Sequence, residues 1–384
     1  MKKWKYAVVL ILLALILDGV LYGIRYANIG AGYNAKMMCS CIFVSGRSQS
    51  SIESQDLYAI PFAKQKVDLV NQTVTSNIYG LVYKTAHYRP GLGCTLINHT
   101  NLDRLNHQFR THESISASLA DSMVQDTLLQ KLNLVIEEAF LEDSLHPNRT
   151  RAIVILQNGK KITERYADGI TPQTRLIGWS MTKSITNAMV GVLVNKKMID
   201  VYAPLRLKEW SEDERKNITL DDLLRMSSGL HWEEEYTKVS DATKMLFADE
   251  NSGISSLNKK LIYPPGSHWY YSSGTTNLIQ HIIQSKFRSL QEYIDFPHTE
   301  LFDKIGVSSA VLEPDPSGSL CLPLPGIGLN SAGCFVMMGY GMAKEYCLKA
   351  GLLIHPKKLR IPKVSIVHIS GPAYANVDCL MISL

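Results

Sequence analysis

A long apolar run near the N-terminus constrains this chain more than any other feature. Residues 7–24 read AVVLILLALILDGVLYGI, with Asp18 as the only charge. A helix of that length rises about 27 Å, just enough to cross the hydrocarbon core of a bilayer. Three lysines precede the run and Arg25 follows it. The more positive flank of a membrane segment stays on the cytoplasmic side, and here that is the N-terminal flank with its three lysines. We therefore predict a signal-anchor over residues 1–25 that holds the body outside the cytoplasm.

Two alternatives to an uncleaved anchor stay open at this stage. A cleaved signal peptide needs only a short apolar region, but no convincing A-x-A site follows this one. A buried helix of a soluble protein fits poorly behind three lysines. Four N-x-[ST] sequons agree with export as candidate glycosylation sites, although several such triplets arise by chance. They lie at Asn71, Asn98, Asn148 and Asn217.

Charge and cysteine are concentrated at the C-terminal end of the chain. Residues 318–384 hold four of the seven cysteines and +4 of the net charge of +5. The remainder is nearly neutral, so it lacks the excess of positive charge that favours binding of a nucleic acid. In that remainder Cys94 could pair with Cys39 or with Cys41 in an oxidising compartment. The alternative is three buried free thiols.

The body divides into an irregular and a regular part. Residues 26–115 lack a clear hydrophobic period, and we interpret them as an N-terminal extension packed on the main domain. The pattern then predicts a helix over 128–141 and a strand pair over 152–157 and 161–166, joined by Asn158-Gly159, a strong hairpin signal. Further helices are predicted over 180–194, 219–226, 275–286 and 290–295. This order predicts an α+β or α/β fold.

The sharpest chemical pattern is Gly178-Trp179-Ser180-Met181-Thr182-Lys183-Ser184. If Ser180 begins the following helix, Lys183 lies one turn later on the same face. A serine hydroxyl needs a base within hydrogen-bond reach, and a desolvated lysine can serve. The alternative is an N-cap serine beside a solvated lysine. Spacing alone is weak, because Ser256 and Lys259 also fit S-x-x-K.

A second pattern follows ninety residues later, in the stretch YYSSGTTN that begins at Tyr270. A tyrosine flanked by short hydroxyl side chains could relay a proton to a leaving group. The alternative is an aromatic stripe where a loop meets a helix.

Together these stretches resemble the serine β-lactamase and penicillin-binding protein superfamily, and within it class C β-lactamase-like esterases and 6-aminohexanoate-dimer hydrolases. The landmarks, in order, are RAIVILQNGKKITERYADG, RLIGWSMTKS, ITLDDLLRMSSGLHW and PPGSHWYYSSGTTNLI. The stretches CSCIFVSGR and YRPGLGCTL also look like the extension of membrane-anchored members. The resemblance implies an antiparallel sheet flanked by helices with an all-helical subdomain, here over residues 116–317.

The resemblance also implies roles for particular residues. Ser180 would be the nucleophile, Lys183 its base partner, Tyr271 the second acid/base group, and Ser273 the third place of the second motif. The bond hydrolysed would be an amide, ester or lactam in a small-molecule or peptide substrate, through an acyl-enzyme and without a metal or other cofactor.

The tail over residues 318–384 departs from the family. No K-T-G, K-S-G or H-x-G motif follows Ser317, so the third active-site motif is missing. Read from the third base of each codon, residues 337–352 can spell DGLWNGERILPEGWV, a string that resembles the family segment expected there. We therefore expect a shifted reading frame near residues 318–324. Loss of the last strands would expose a sheet edge beside Ser180, which leaves a catalytically impaired or non-enzymatic relative as the alternative to an active serine hydrolase.

Overall fold

One helix begins at the N-terminus and continues without a break into the body of the protein. The computed structural model describes residues 2–58, 60–97, 126–142, 148–157, 160–320, 328–329 and 364–370. Helix α1 spans Lys2–Cys39, and its side chains are mostly exposed as far as Arg25 and mostly buried from Ile29 onward. Within the described residues, one helical stretch, Trp4–Val44, is long and apolar enough to cross a membrane, a test that a signal sequence also passes.

The N-terminal extension contains a four-stranded antiparallel sheet that packs on the buried half of α1. Its strands are β1 (Ala63–Asp68), β2 (Thr73–Ile78), β3 (Val82–Arg89) and β4 (Gly93–Ile97), in that order. The sequence did not predict this sheet. Its inward positions include polar residues such as Ser76, which is fully buried, so the alternation of apolar and polar residues is blurred.

The main domain combines a small antiparallel sheet with helices. Helix α2 covers Gln49–Gln55, and the domain itself contains α3 (Asp126–Ala139), α4 (Thr182–Asn195), α5 (Leu220–Leu224), α6 (Asp241–Phe247), α7 (Ser273–Gln284) and α8 (Leu290–Pro297). Strands β5 (Thr150–Gln157) and β6 (Lys160–Tyr166) pair antiparallel, as predicted, although Asn158-Gly159 lies outside the described residues. The short strand β7 (Leu176–Ile177) pairs with β8 (Gly328–Leu329). The predicted helices are present within a few residues of their predicted ends.

Helices α4 and α7 pack together at the centre of the main core. Ile185, Met189 and Leu193 from α4 belong to one buried cluster with Leu278 and Ile282 from α7. These residues recur every three or four positions, so each helix presents one apolar face to the other. The polar ends of the two helices therefore come together at the edge of this core.

The tail contributes one strand to the central sheet, which the sequence did not predict, so in the described part of the chain the edge of the sheet lies at this strand and not at β5. Strand β9 (Val364–Ser370), from the tail, pairs antiparallel with β5 and gives the order β6-β5-β9. Its sequence, VSIVHIS, is rich in β-branched residues, which suit a strand whatever the origin of the tail. The backbone groups on that edge of β5 therefore have partners, although the third motif is still absent from the sequence.

A buried ion pair connects α1 to the main domain. Lys36 on α1 and Glu313 are each 1% exposed, and their charged groups lie 2.9 Å apart. Ser40 donates to both oxygens of Glu313 at 3.0 Å, and the Cys94 backbone N–H donates to one of them at 2.6 Å. The ion pair and these hydrogen bonds thus join three parts of the chain: α1, the extension sheet and the segment of the main domain that contains Glu313.

Candidate active site

Ser180 lies on a single turn of 3-10 helix, Trp179–Met181, between β7 and α4. It thus precedes the α-helix, which begins at Thr182, rather than being its first residue. Trp179 has φ of +40°, a left-handed conformation that is costly for a bulky side chain. Strained backbone of this kind clusters at functional sites, where the surrounding packing holds it.

Lys183 faces Ser180 across that turn. Its Nζ donates to Ser180 Oγ at 3.2 Å and to Ser273 Oγ at 3.0 Å. Burial lowers the pKa of Lys183 to about 8, while the negative charge of Glu234 acts in the opposite direction. A lysine with that pKa is partly neutral near physiological pH, so it can accept a proton from the serine hydroxyl.

Tyr271 reaches Ser180 from the loop that precedes α7. Its hydroxyl donates to Ser180 Oγ at 2.9 Å, and Lys183 Nζ lies 4.6 Å from the centre of its ring. Burial raises the pKa of Tyr271, and the hydrogen bond with Ser180 only partly opposes this. The phenol therefore stays protonated near neutral pH, which suits it to donate a proton.

Ser273 and Glu234 hold Lys183 in position through a chain of hydrogen bonds. The buried Ser273 hydroxyl donates to Glu234 Oε1, so its lone pairs are free to receive the lysine ammonium. The Ser273 backbone N–H donates to Glu234 Oε2 at 2.8 Å. The Trp232 indole and the Tyr236 hydroxyl also donate to this carboxylate. Four donors from two segments thus fix Glu234, and through Ser273 they fix Lys183.

Glu234 is the site residue that sequence reasoning missed. It is the middle member of three consecutive glutamates, and composition cannot tell them apart. Glu233 pairs with Lys238 at 2.6 Å, and Glu235 accepts hydrogen bonds from Tyr236 and Thr237 in its own turn. Only the tertiary fold selects Glu234 for the site. The WEEEY spacing carries no local signal of this selection.

Gly274 allows Trp232 and Ser273 to lie close enough to donate to the same carboxylate, that of Glu234. A Cβ on Gly274 would lie 2.4 Å from the Trp232 ring, much closer than packing permits. The glycine therefore lets the first turn of α7 approach Trp232, so that Ser273 and Trp232 reach the same carboxylate.

The second S-x-x-K sequence forms no comparable pair. The Ser256 hydroxyl donates to the Gly274 carbonyl at 2.8 Å, and Lys259 pairs with Asp241 at 2.7 Å. The two side chains thus have separate partners. The structure distinguishes Ser180 from Ser256, as spacing alone could not.

The remaining predicted residues lie away from this cluster. Cys39 is bonded to Cys94 and Cys41 is a buried free thiol, whereas the sequence left the partner of Cys94 open. The sequons at Asn71, Asn148 and Asn217 are exposed, and Asn98 lies outside the described residues. Among the described residues, no three His, Cys, Asp or Glu side chains gather where they could hold a metal ion.

Comparison with known proteins supports the β-lactamase resemblance. Residues 148–320 match the family model Beta-lactamase. No protein of curated function matches the chain. The matched segment contains Ser180, Lys183 and Tyr271, and it ends three residues after Ser317, where the predicted tail begins.

Solved structures similar to this chain come from several branches of that superfamily. A Bacillus anthracis protein assigned as a 6-aminohexanoate-dimer hydrolase is 17% identical with a TM-score of 0.47, over 59% of this chain and 63% of that one. FmtA of Staphylococcus aureus is 15% identical with a TM-score of 0.46, over 67% and 76%. A penicillin-binding protein of Bacillus halodurans is 14% identical with a TM-score of 0.43, over 59% and 76%. The chain spans less than two thirds of the first of these. The antiparallel sheet, the flanking helices and the family match agree: residues 148–320 belong to the β-lactamase family and have its β-lactamase/transpeptidase-like fold.

Proposed function

We propose that this protein is a serine hydrolase that cleaves an amide, ester or lactam bond through an acyl-enzyme on Ser180. The observation that carries the proposal is the convergence of Lys183 and Tyr271 on one serine oxygen, at 3.2 and 2.9 Å. A nucleophile with a base and an acid within reach is the constellation that acyl transfer needs. The β-lactamase-family fold supports the same class of reaction.

In the first half of the reaction, neutral Lys183 takes the proton from Ser180 while the serine oxygen attacks the carbonyl carbon. The carbonyl π electrons move to its oxygen and form a tetrahedral oxyanion. The positive end of the α4 dipole points toward this region, since Ser180 lies just before the helix N-terminus. Tyr271 then gives its proton to the leaving nitrogen or oxygen as the bond to that atom breaks.

In the second half, a water molecule attacks the acyl-enzyme. The Lys183 ammonium first re-protonates the Tyr271 phenolate, and the neutral Lys183 then takes a proton from the attacking water. Lys183 Nζ and the Tyr271 hydroxyl both contact Ser180 Oγ, at 3.2 and 2.9 Å, so they lie beside the same reacting centre. Collapse of the second tetrahedral species releases the acid and returns the proton to Ser180.

We also propose that residues 1–25 anchor the chain in a membrane, with the hydrolase domain on the side away from the cytoplasm. The exposed apolar half of α1 and the three lysines before it support this orientation. The domain division into an extension over 26–115, a hydrolase domain over 116–317 and a tail over 318–384 is part of the same proposal. The three exposed sequons are then candidates for glycosylation.

A second function is favoured by one observation, the absence of the third motif after Ser317. The family uses that motif for part of the oxyanion hole, and loss of one oxyanion donor costs about 100- to 1000-fold in rate. A non-enzymatic binding protein with an intact serine pocket is therefore the competing proposal.

A fluorophosphonate probe separates the two. The full-length chain in detergent micelles is exposed to the probe, beside Ser180→Ala and a matched control, Ser184→Ala, whose exposed serine is on the next turn. Labelling of the wild type and the control, with loss in Ser180→Ala, is the expected result. Absence of labelling in a protease-resistant, folded wild type favours the binding protein. Equal labelling of Ser180→Ala rejects Ser180 as the nucleophile.

A further inference from the structure

The turn between β2 and β3 carries a cluster of exposed aromatic and aliphatic side chains. Tyr79 is 74% and Leu81 is 84% exposed. Phe62 stacks on the Tyr79 ring with a centroid distance of 5.6 Å and an interplanar angle of 4°, and Tyr83 is also exposed. We call Phe62, Tyr79, Leu81 and Tyr83 the turn surface. Such residues at a hairpin tip contribute nothing to the core of the domain.

The backbone of this turn makes the choice of tyrosine unusual. Tyr79 and Gly80 have φ of +52° and +70°, the values of a type I′ turn. That turn favours asparagine, aspartate or glycine at its first central position, since a side chain with a bulky ring is strained there. Within the chain Tyr79 gains the stacking contact with Phe62, yet its side chain stays 74% exposed, so most of its ring is free to contact a partner outside the chain.

The position of the turn along α1 indicates what that contact is. A Cβ on Gly30 would touch Ile60 and Ile78, so the end of β2 lies level with residue 30 of the helix. The opposite end of the sheet lies level with Cys39, which is bonded to Cys94 on β4. The β2–β3 turn therefore points back along α1, toward its exposed apolar half.

The charge and aromatic pattern at this level fits a lipid interface. Tyr22 lies near the end of the apolar run and Arg25 follows that run, and both are exposed. Lys64, two residues after Phe62, is also exposed. Tyrosine and tryptophan concentrate where hydrocarbon meets headgroups, because their rings are apolar and their hydroxyl or N–H groups are polar. Basic side chains suit the phosphates of the same layer.

We propose that the turn surface inserts into the headgroup layer of the bilayer, beside the point where α1 leaves it. The inference rests on the membrane anchoring proposed above and is independent of catalysis. It gives the domain a second contact with the membrane. A helix alone leaves rotation about its own axis open, whereas a helix and a turn at its side fix which face of the domain lies against the lipid.

The same sheet offers a matched control at its other end. Leu69 and Val70, in the β1–β2 turn, are 69% and 91% exposed, and they are as apolar as the turn surface. They lie level with the far end of the buried half of α1, away from the apolar run. Exposure and hydrophobicity are therefore similar at the two turns, and only the predicted depth differs.

The test replaces single residues with the photo-crosslinker p-benzoylphenylalanine in the full-length chain, reconstituted in phosphatidylcholine nanodiscs. The positions are Leu81, Val70 as the matched control, and Leu12 in the apolar run. Mass spectrometry should find phospholipid adducts at Leu81 and Leu12 and none above background at Val70. Formation of the Cys39–Cys94 bond checks the fold of each variant.

Each other outcome overturns the inference in a distinguishable way. Adducts at Leu12 but not at Leu81 leave the anchor in place and reject insertion of the turn. Adducts to protein instead of lipid at Leu81 show that a second polypeptide covers the surface. Equal adducts at Leu81 and Val70 show non-specific contact, and no lipid adduct at any position rejects the anchor together with the inference.

Discussion

Lys183 Nζ donates to Ser273 Oγ at 3.0 Å and to Ser180 Oγ at 3.2 Å, so one ammonium group is shared between Ser180 and a buried supporting hydroxyl. Ser273 in turn donates to Glu234. The proton affinity of Lys183 is thus set jointly by its burial and by a carboxylate one hydroxyl away. Both contributions can be changed separately.

The rate of Ser180 acylation should depend on the protonation of Lys183. Below its pKa of about 8 the lysine is charged and cannot accept the serine proton. Labelling by a fluorophosphonate should therefore rise with pH through that value and level off above it. The labelling rate is measured by quenching the reaction at fixed times over a series of pH values. A rate that does not change with pH across that range would contradict the role of Lys183 as base. Lys183→Met should abolish the pH-dependent labelling.

Glu234→Gln should move this pH profile toward lower pH. The negative charge of Glu234 raises the pKa of Lys183, so its removal lets burial lower that pKa further. Glu233→Gln and Glu235→Gln are the matched controls, because their carboxylates bind outside the site. A lower rate with an unmoved profile would show that Glu234 only holds the loop in place.

Tyr271→Phe removes the hydroxyl that donates to Ser180 but keeps the ring beside Lys183. We expect acylation and turnover of an ester substrate to fall by about 10²- to 10⁴-fold, the usual contribution of a positioned acid or base. The resistance of the folded chain to protease should not change. Full activity in this variant would exclude Tyr271 from proton transfer.

Breaking the Lys36–Glu313 pair should destabilise the whole chain. Lys36→Met leaves the Glu313 carboxylate buried without its countercharge, at a cost of about 3–5 kcal/mol. Glu313→Gln in the same chain should recover part of that loss, since no charge is then left unpaired. Denaturant titration of the full-length variants in micelles gives the free energies of unfolding. If the double variant is as unstable as Lys36→Met, the loss is due to packing and not to charge.

Sequencing of independent transcripts across codons 316–326 tests the origin of the tail. We expect an extra or missing base there, and a frame-restored chain should contain the third motif. Its acylation rate should exceed that of the present chain by about 100-fold or more, since an oxyanion donor is restored. An uninterrupted frame in every transcript would show that the tail is native to this protein.

The residues of the candidate catalytic cluster could be predicted from sequence more readily than the residues around them. Ser180 and Lys183 are local neighbours on one turn, and Tyr271 lies in a motif with its own spacing, so the resemblance could identify all three. Glu234 could not be identified, because three identical side chains in a row differ only in what the fold places beside them. The extension sheet was missed for a related reason, since polar residues such as Ser76 occupy its inward positions.

The uninterrupted α1 helix has a mechanical consequence. A domain joined to its membrane anchor by a flexible linker can take many heights and orientations above the bilayer. Here the helix that is proposed to cross the bilayer is itself part of the domain core through Lys36 and Cys39. With the anchor embedded, the serine pocket is held at one height and sweeps a thin shell parallel to the lipid surface. Molecules that diffuse along the membrane surface within that shell are therefore the ones positioned to reach the serine pocket. Release of the domain by proteolysis would require a cut through a folded helix.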